Sequence, residues 1–276
     1  MKVLTAEVNY DWGLVWEFRG AFVQGLVTAA SVAVVALVLS AVIGMVLAMA
    51  RTARQPIAFF ASAYVNIFRG VPALVSVIWV YFGWSLLFGR NFTVFQAGVI
   101  ALTLLYSAFL SEIFRSAFGA IPKGQREAGL ALGMPKIRVF LTVTMPQALK
   151  IALPNIGSML IGMVKDTSTF TVIGLTEVVR VTQNLNSTYF QPFVLYTAAA
   201  VIYVVVAFLL DFMFRTIEKI LATPTTGRIA RKITAGRRAR LQALIETHTL
   251  STTPPVLAPS VEMNGTTDTP GVGSQR

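Results

Sequence analysis

The sequence predicts an all-α integral membrane protein of five transmembrane helices, N-terminus outside and C-terminus inside. Three observations carry that expectation. Of 276 residues, 55% are hydrophobic and only 13% charged, too apolar a balance for a soluble domain of this length. Long uncharged runs recur along the chain, with basic residues gathered at their ends. Between two of those runs lies a polar interruption, Pro122 to Pro146, which reads as a hairpin of two short helices held outside the bilayer.

The first span runs from Ala21 to Ala50, more than enough at about 1.5 Å per residue to cross a hydrocarbon core of about 30 Å. Arg51 and Arg54 close it. The piece from Pro56 to Arg69 is apolar on one side, as an interfacial amphipathic helix would be, and precedes a second span from Pro72 to Phe88. Trp79, Tyr81 and Trp84 place aromatics toward the outer end of that span. A third span, Val94 to Arg115, leads into the hairpin. The fourth, Leu149 to Val164, is short and interrupted by Pro154, Gly157 and Gly162, and a polar, Thr-rich stretch follows from Lys165. Broken segments of this kind are tolerated at membrane depth only where protein or water surrounds them. The fifth span, Phe193 to Phe214, ends at Arg215 and Lys219.

Orientation follows from the basic residues. Placing the hairpin inside puts 18 of the 23 Lys and Arg on the inner side and leaves Lys2, Arg19, Arg90, Lys165 and Arg180 outside, which decides for N-out, C-in. Residues 1–20 then form an external segment without the features of a cleaved leader, and 21–221 the membrane domain with its loop at 122–146. Residues 222–246 are a basic cytoplasmic stretch that reads as a membrane-surface helix, and 247–276 a Thr/Pro/Ser/Gly-rich disordered tail.

Composition also excludes. The net charge of +11 does not point to nucleic acid, because the basic residues flank spans or sit in one tail with no aromatic platform among them. There is no cysteine, and the single histidine, His248, lies in the tail, so thiolate chemistry, His-dependent acid/base work and His-ligated metal sites are not expected. The chain has no GxxxxGK[ST] phosphate loop. It is not read as an enzyme and carries no cofactor; an ATP-driven process would need ATP and Mg held by another subunit.

In the hairpin, Pro122 suits a first helical position, Glu127 a first turn, and Gly133 with Pro135 a stop and restart. Small residues, Ala128, Gly129, Ala131 and Gly133, thin one side of the first helix. Spacing alone allows a solvated connector or a docking element. Glu127, Ala128 and Gly129, then Gly133, then Val143 through Pro146 resemble the EAA loop of binding-protein-dependent ABC transporter permeases at every spacing, with Gly129, Val143 and Met145 as conservative departures. Arg69-Gly70-Val71-Pro72, Glu112-Ile113 with Arg115, Pro122 to Gln125, Pro146 to Leu149 and Lys165 to Ser168 resemble the polar amino-acid branch of that family. The resemblance covers Gly20 to Leu221.

It implies a permease subunit of an ATP-driven importer for polar amino acids, of histidine, glutamine or glutamate type, in a bacterial inner membrane. Its implied partners are an ATP-binding subunit dimer, a second permease chain, the same or related, and an external solute-binding protein. Glu127, Ala128 and Gly133 would make the ATPase-coupling contact. For a zwitterionic substrate, unpaired charge is costly in hydrocarbon, which points to Glu112, Ser158, Lys165, Asp166, Thr167 and Ser168 along the translocation path. Plainer structural readings stand beside these: Glu112 paired with Arg115 at i+3, and Lys165 with Asp166 as an ion pair fixing the outer end of the fourth span. Two rival classes are an ion-coupled secondary transporter or channel acting without an ATPase, and a membrane scaffold.

Overall fold

The computed structural model describes residues 10–89 and 91–221, all helical apart from short connections. The basic stretch at 222–246, the tail at 247–276 and the first nine residues lie outside the described residues. After a single turn, α1 (Gly13–Glu17), helix α2 (Arg19–Ala50) carries a seam of small buried residues: Gly25, Ala29, Ala33, Ala36, Ser40, Gly44 and Ala48, three or four apart. Hydrophobic collapse does not drive helices together in lipid, so close approach along such a seam has to. A Cβ on Gly44 would stand 2.9 Å from the Leu110 side chain and the Ser107 carbonyl of α6 (Val94–Gly119), so these backbones lie nearly in contact. A Thr93–Gln96 capping box starts α6.

Between them, α3 (Ile57–Gly70) meets the next helical stretch at 108°. The cause is local. Val71, pushed into the extended region by the following proline, breaks the helix, and Pro72 starts the next. That stretch, α4 (Ala73–Ile78), a π-turn (Trp79–Gly83) and α5 (Trp84–Phe88), is too short to count as a span alone. Among the described residues four helices are long and apolar enough to cross a membrane, or five if α3 and the stretch through α5 are one bent span; the stretch expected as a second span from Pro72 to Phe88 does not reach that length alone.

The hairpin begins with α7 (Lys123–Ala131). Pro122 occupies its N-cap rather than its first helical position, so Glu127 falls in the second turn, outside the reach expected of a first-turn carboxylate. Its end is a Schellman closure: Met134 N–H bonds to the Gly129 carbonyl, Gly133 N–H to that of Leu130, and Gly133 has φ of +77°. The second arm is not a separate helix. From α8 (Lys136–Val139) the chain continues through a π-turn (Phe140–Thr144) into α9 (Met145–Asp166) and a 3₁₀ segment (Thr167–Ile173). Pro154 therefore does not break the fourth span; the helix runs through it, and the Ser158 hydroxyl donates back to the Pro154 carbonyl at 3.3 Å. Gly157 serves close packing, since a Cβ there would meet the Phe214 ring at 2.6 Å.

Two helices complete the fold. Amphipathic α10 (Val178–Tyr189) packs with Phe22 of α2 and with Leu195 and Ala199 of α11 (Pro192–Leu221). The central core forms where α2, α4, α6, α9 and the 3₁₀ segment meet, around Val32, Val77, Leu102, Met163 and Phe170. Val201, Val205, Leu209 and Phe212 remain exposed along α11, as a face turned to lipid or to another membrane chain requires.

Candidate functional site

Two regions of the structure are candidates for function. The first is the tip of the hairpin. Residues from Pro122 through Ala128 and from Leu130 through Gly133 are exposed, Glu127, Ala128 and Gly133 among them, and Glu127 forms no ion pair among the described residues. Gly129 alone is buried in α7, where a Cβ would meet Val139 at 3.0 Å. The thinness supplied by Gly129 is thus spent inside the hairpin. Two exposed apolar side chains, Leu132 at 83% and Ile137 at 70%, crown the tip, which composition-level reading of a polar loop missed. The hairpin is braced to the spans beneath it by Gln147 donating to Gln125 at 2.6 Å and by the Phe118–Phe140 ring contact at 5.7 Å. These contacts join the hairpin to the ends of α6 and α9.

The second region lies between α9 and α11. A cleft of about 610 Å³ is lined by Ile161, Val204, Ala207 and Phe208, with Lys165, Ser168, Tyr203, Asp211 and Arg215 as its polar groups. That volume falls in the range of small-molecule sites. Asp211 accepts from Arg215 at 2.6 Å one turn along, whereas Lys165 has no ion-pair partner among the described residues. Lys165 and Asp166 do not pair. Instead Asp166 accepts from the Tyr106 hydroxyl at 3.0 Å, for which Gly162 leaves room: a Cβ there would stand 2.8 Å from that hydroxyl. Tyr106 lies near the middle of α6, so Lys165 and Asp166 sit level with helix interiors and not at an outer end.

The remaining sequence candidates divide. Ser168 lines the cleft. Thr167 is fully buried with its hydroxyl on the Val164 carbonyl, and Ser158 returns its own to Pro154. Glu112 lies away from the cleft, held by Arg51 at 2.6 Å and Arg115 at 2.7 Å, with Arg69 at 3.5 Å; the i+3 pairing with Arg115 is present but is one of three. Asp211, a lone carboxylate in an apolar span, carried the same signal that drew attention to Glu112.

Glu177 was not anticipated either, although an acidic residue just before an amphipathic run is a helix-start signal. It is fully buried, caps α10 by accepting from Val179 and Arg180 N–H at 2.8 Å each, and receives the Tyr203 hydroxyl at 2.6 Å. Gly25 lets α2 approach, since a Cβ there would be 2.9 Å from the Glu177 backbone. Burial raises the carboxyl above its ordinary value of 4.5, against the lowering pull of those three hydrogen bonds. A carboxyl raised on folding contributes stability at low pH that is lost as pH climbs through the folded value. The melting temperature of the detergent-solubilised protein is thus expected to decline upward from pH 4.5 more steeply in wild type than in Glu177→Gln. Equal slopes would contradict the assignment.

Comparison with known proteins adds to this geometry. Residues 40–222 match the family described as binding-protein-dependent transport system inner membrane component. The glutamine transport system permease protein GlnP of Escherichia coli strain K12 is 33% identical over 214 residues, covering 77% of this chain and 98% of that protein. The arginine transport system permease protein ArtQ of Bacillus subtilis strain 168 is 34% identical over 200 residues, covering 71% and 90% respectively. Among solved structures, an amino acid ABC transporter crystallised with histidines superposes with a TM-score of 0.70 at 30% identity, over 76% of this chain and 99% of that one. The inward-facing methionine transporter MetNI, at 21% identity and a TM-score of 0.64, shares the fold.

Proposed function

This chain belongs to the family of binding-protein-dependent transport system inner membrane components, and from that membership we propose that it carries polar amino acids through a path beside α9 and α11. It is a multi-pass inner-membrane permease of an ABC transport system and not itself a catalyst. ATP is bound with Mg and hydrolysed in a separate ATPase dimer, into which the exposed tip of α7 inserts. Leu132 and Ile137 give that contact apolar anchors, and Gly133 shapes its end. Two permease chains share the membrane, an external binding protein delivers the substrate, and the N-terminus faces outward.

Force applied at the tip passes through Gln125–Gln147 and Phe118–Phe140 to the ends of α6 and α9, so ATPase closure tilts the two helices that bear Tyr106 and Lys165. The cleft then alternates in access. Lys165 offers its ammonium to a substrate carboxylate in mostly apolar walls, and Ser168 adds a hydrogen bond. Glu112, Asp166 and Thr167 act from behind the path as helix-positioning groups, each held by the protein partners described above, and Ser158 marks its inner continuation. The observation that carries this reading is the combination of a braced, exposed hairpin with a cleft of about 610 Å³ whose lysine has no ion-pair partner among the described residues. Uptake of a labelled polar amino acid into vesicles bearing the assembled transporter tests it: unlabelled glutamine, arginine or histidine should compete and leucine should not. Equal competition by leucine would remove the polar amino-acid assignment.

A further inference from the structure

The arginines around Glu112 are out of balance with the single carboxylate they surround. Arg51 donates to Oε1 at 2.6 Å, and Arg115 places Nε at 2.8 Å and a terminal nitrogen at 2.7 Å from Oε2. Those two guanidiniums take the short contacts. Arg69, at 3.5 Å from Oε1, lies outside good hydrogen-bond range and rests over the Phe109 ring at 5.8 Å. Three cations on one anion leave the knot at +2. Two of the three are open to the surroundings, the side chains of Arg69 and Arg115 being 45% and 52% exposed, while Arg51 is 15% exposed.

The knot's position says what that surplus meets. It ties the end of α2, the last turn of α3 and the lower part of α6, beside the 108° bend that turns α3 away from the following helices. Helix α3 exposes Phe59, Phe60 and Ile67 on the side away from the other helices while burying Ala61 and Val65 against them, an apolar outer face of the kind lipid chains cover. Arg51 directly follows Ala50, the last residue of a helix long and apolar enough to cross the membrane, so the knot stands where that span meets the headgroups. A guanidinium fork matches the two non-ester oxygens of a phosphodiester. A zwitterionic lipid brings its own cation to the same place; an anionic one does not.

We propose that Arg69 and Arg115, with Glu112 limiting their charge, form a selective site for the headgroup of an anionic phospholipid whose chains lie against the apolar face of α3. Glu112 thereby has a definite part: it fixes Arg51 and Arg115 and sets the net charge that the lipid neutralises.

The assembled transporter can be placed in nanodiscs of phosphatidylcholine containing a minor share of phosphatidylglycerol, with spin-labelled analogues of each lipid reporting the immobilised fraction. Wild type should immobilise phosphatidylglycerol in preference to phosphatidylcholine. Arg69→Gln and Arg115→Gln should each lower that preference, by roughly five-fold for a cation acting near the surface. Glu112→Gln adds one unit of positive charge and should raise the preference, an effect that a purely structural ion-pair knot does not produce. Unchanged selectivity in both arginine variants overturns the proposal. So does a loss of ATPase capture in those variants with lipid selectivity intact, which would assign the patch to a protein partner.

Discussion

Gly133→Arg is expected to insert and fold like the wild type and to lose capture of its ATPase. Gly133 closes α7 in the left-handed region at φ of +77°, and no atom stands within 4 Å of a Cβ built there. The first atom of an added side chain therefore meets nothing among the described residues. Its internal cost is the backbone term for a non-glycine residue in that conformation, on the order of 1–2 kcal/mol. Its main effect falls outward, on the surface that Glu127, Ala128, Leu132 and Ile137 share. Gly133→Asn separates the two contributions, because asparagine tolerates this conformation with little bulk. Co-purification should fall to background for the arginine variant and stay near wild type for asparagine, with stimulated ATP hydrolysis following the same order. Normal capture by the arginine variant would make the hairpin a connector.

The second large effect is expected at Lys165. Lys165→Gln should leave ATPase capture intact and raise the KM for uptake. The cleft around Lys165 is mostly apolar, and the one carboxylate lining it, Asp211, is engaged by Arg215. A charge-assisted hydrogen bond there is worth about 1.5–3 kcal/mol, hence roughly 10- to 100-fold in KM if it is made equally in the ground and transition states. Lys165→Arg should recover part of the loss. A KM unmoved in Lys165→Gln would take substrate binding out of this cleft while leaving the permease itself untouched.

These two residues also mark how far the sequence could be read. Gly133 was legible because a glycine followed by a proline after a short helical run has a local cause, and the Schellman closure realises it. The long helices were legible for the same kind of reason: α2, α6 and α11 are set by continuous apolar runs ending in polar or basic residues. Where tertiary contact decides, local signals misled. Pro154 looked like a break, but a helix held on both sides by α6 and α11 continues through one missing N–H. The second span looked self-sufficient, but the stretch after the bend at Val71 and Pro72 is too short to count as a span unless α3 is taken with it.

Partnerships between distant residues were the least visible. Lys165 and Asp166 are neighbours in sequence, yet successive helical residues point in different directions, one into the cleft and the other toward Tyr106. Glu177 and Tyr203, or Glu112 and Arg51, meet only once the helices have packed. Nothing in their spacing encodes the meeting.

The most direct test of the account is uptake of labelled amino acid into proteoliposomes, with this chain alone compared with the chain plus its ATPase, its binding protein and ATP. Accumulation only with the full set, abolished when ATP is withheld, is the result predicted. Accumulation by this chain alone, driven by an imposed ion gradient, would contradict a permease that takes its energy from a docked ATPase.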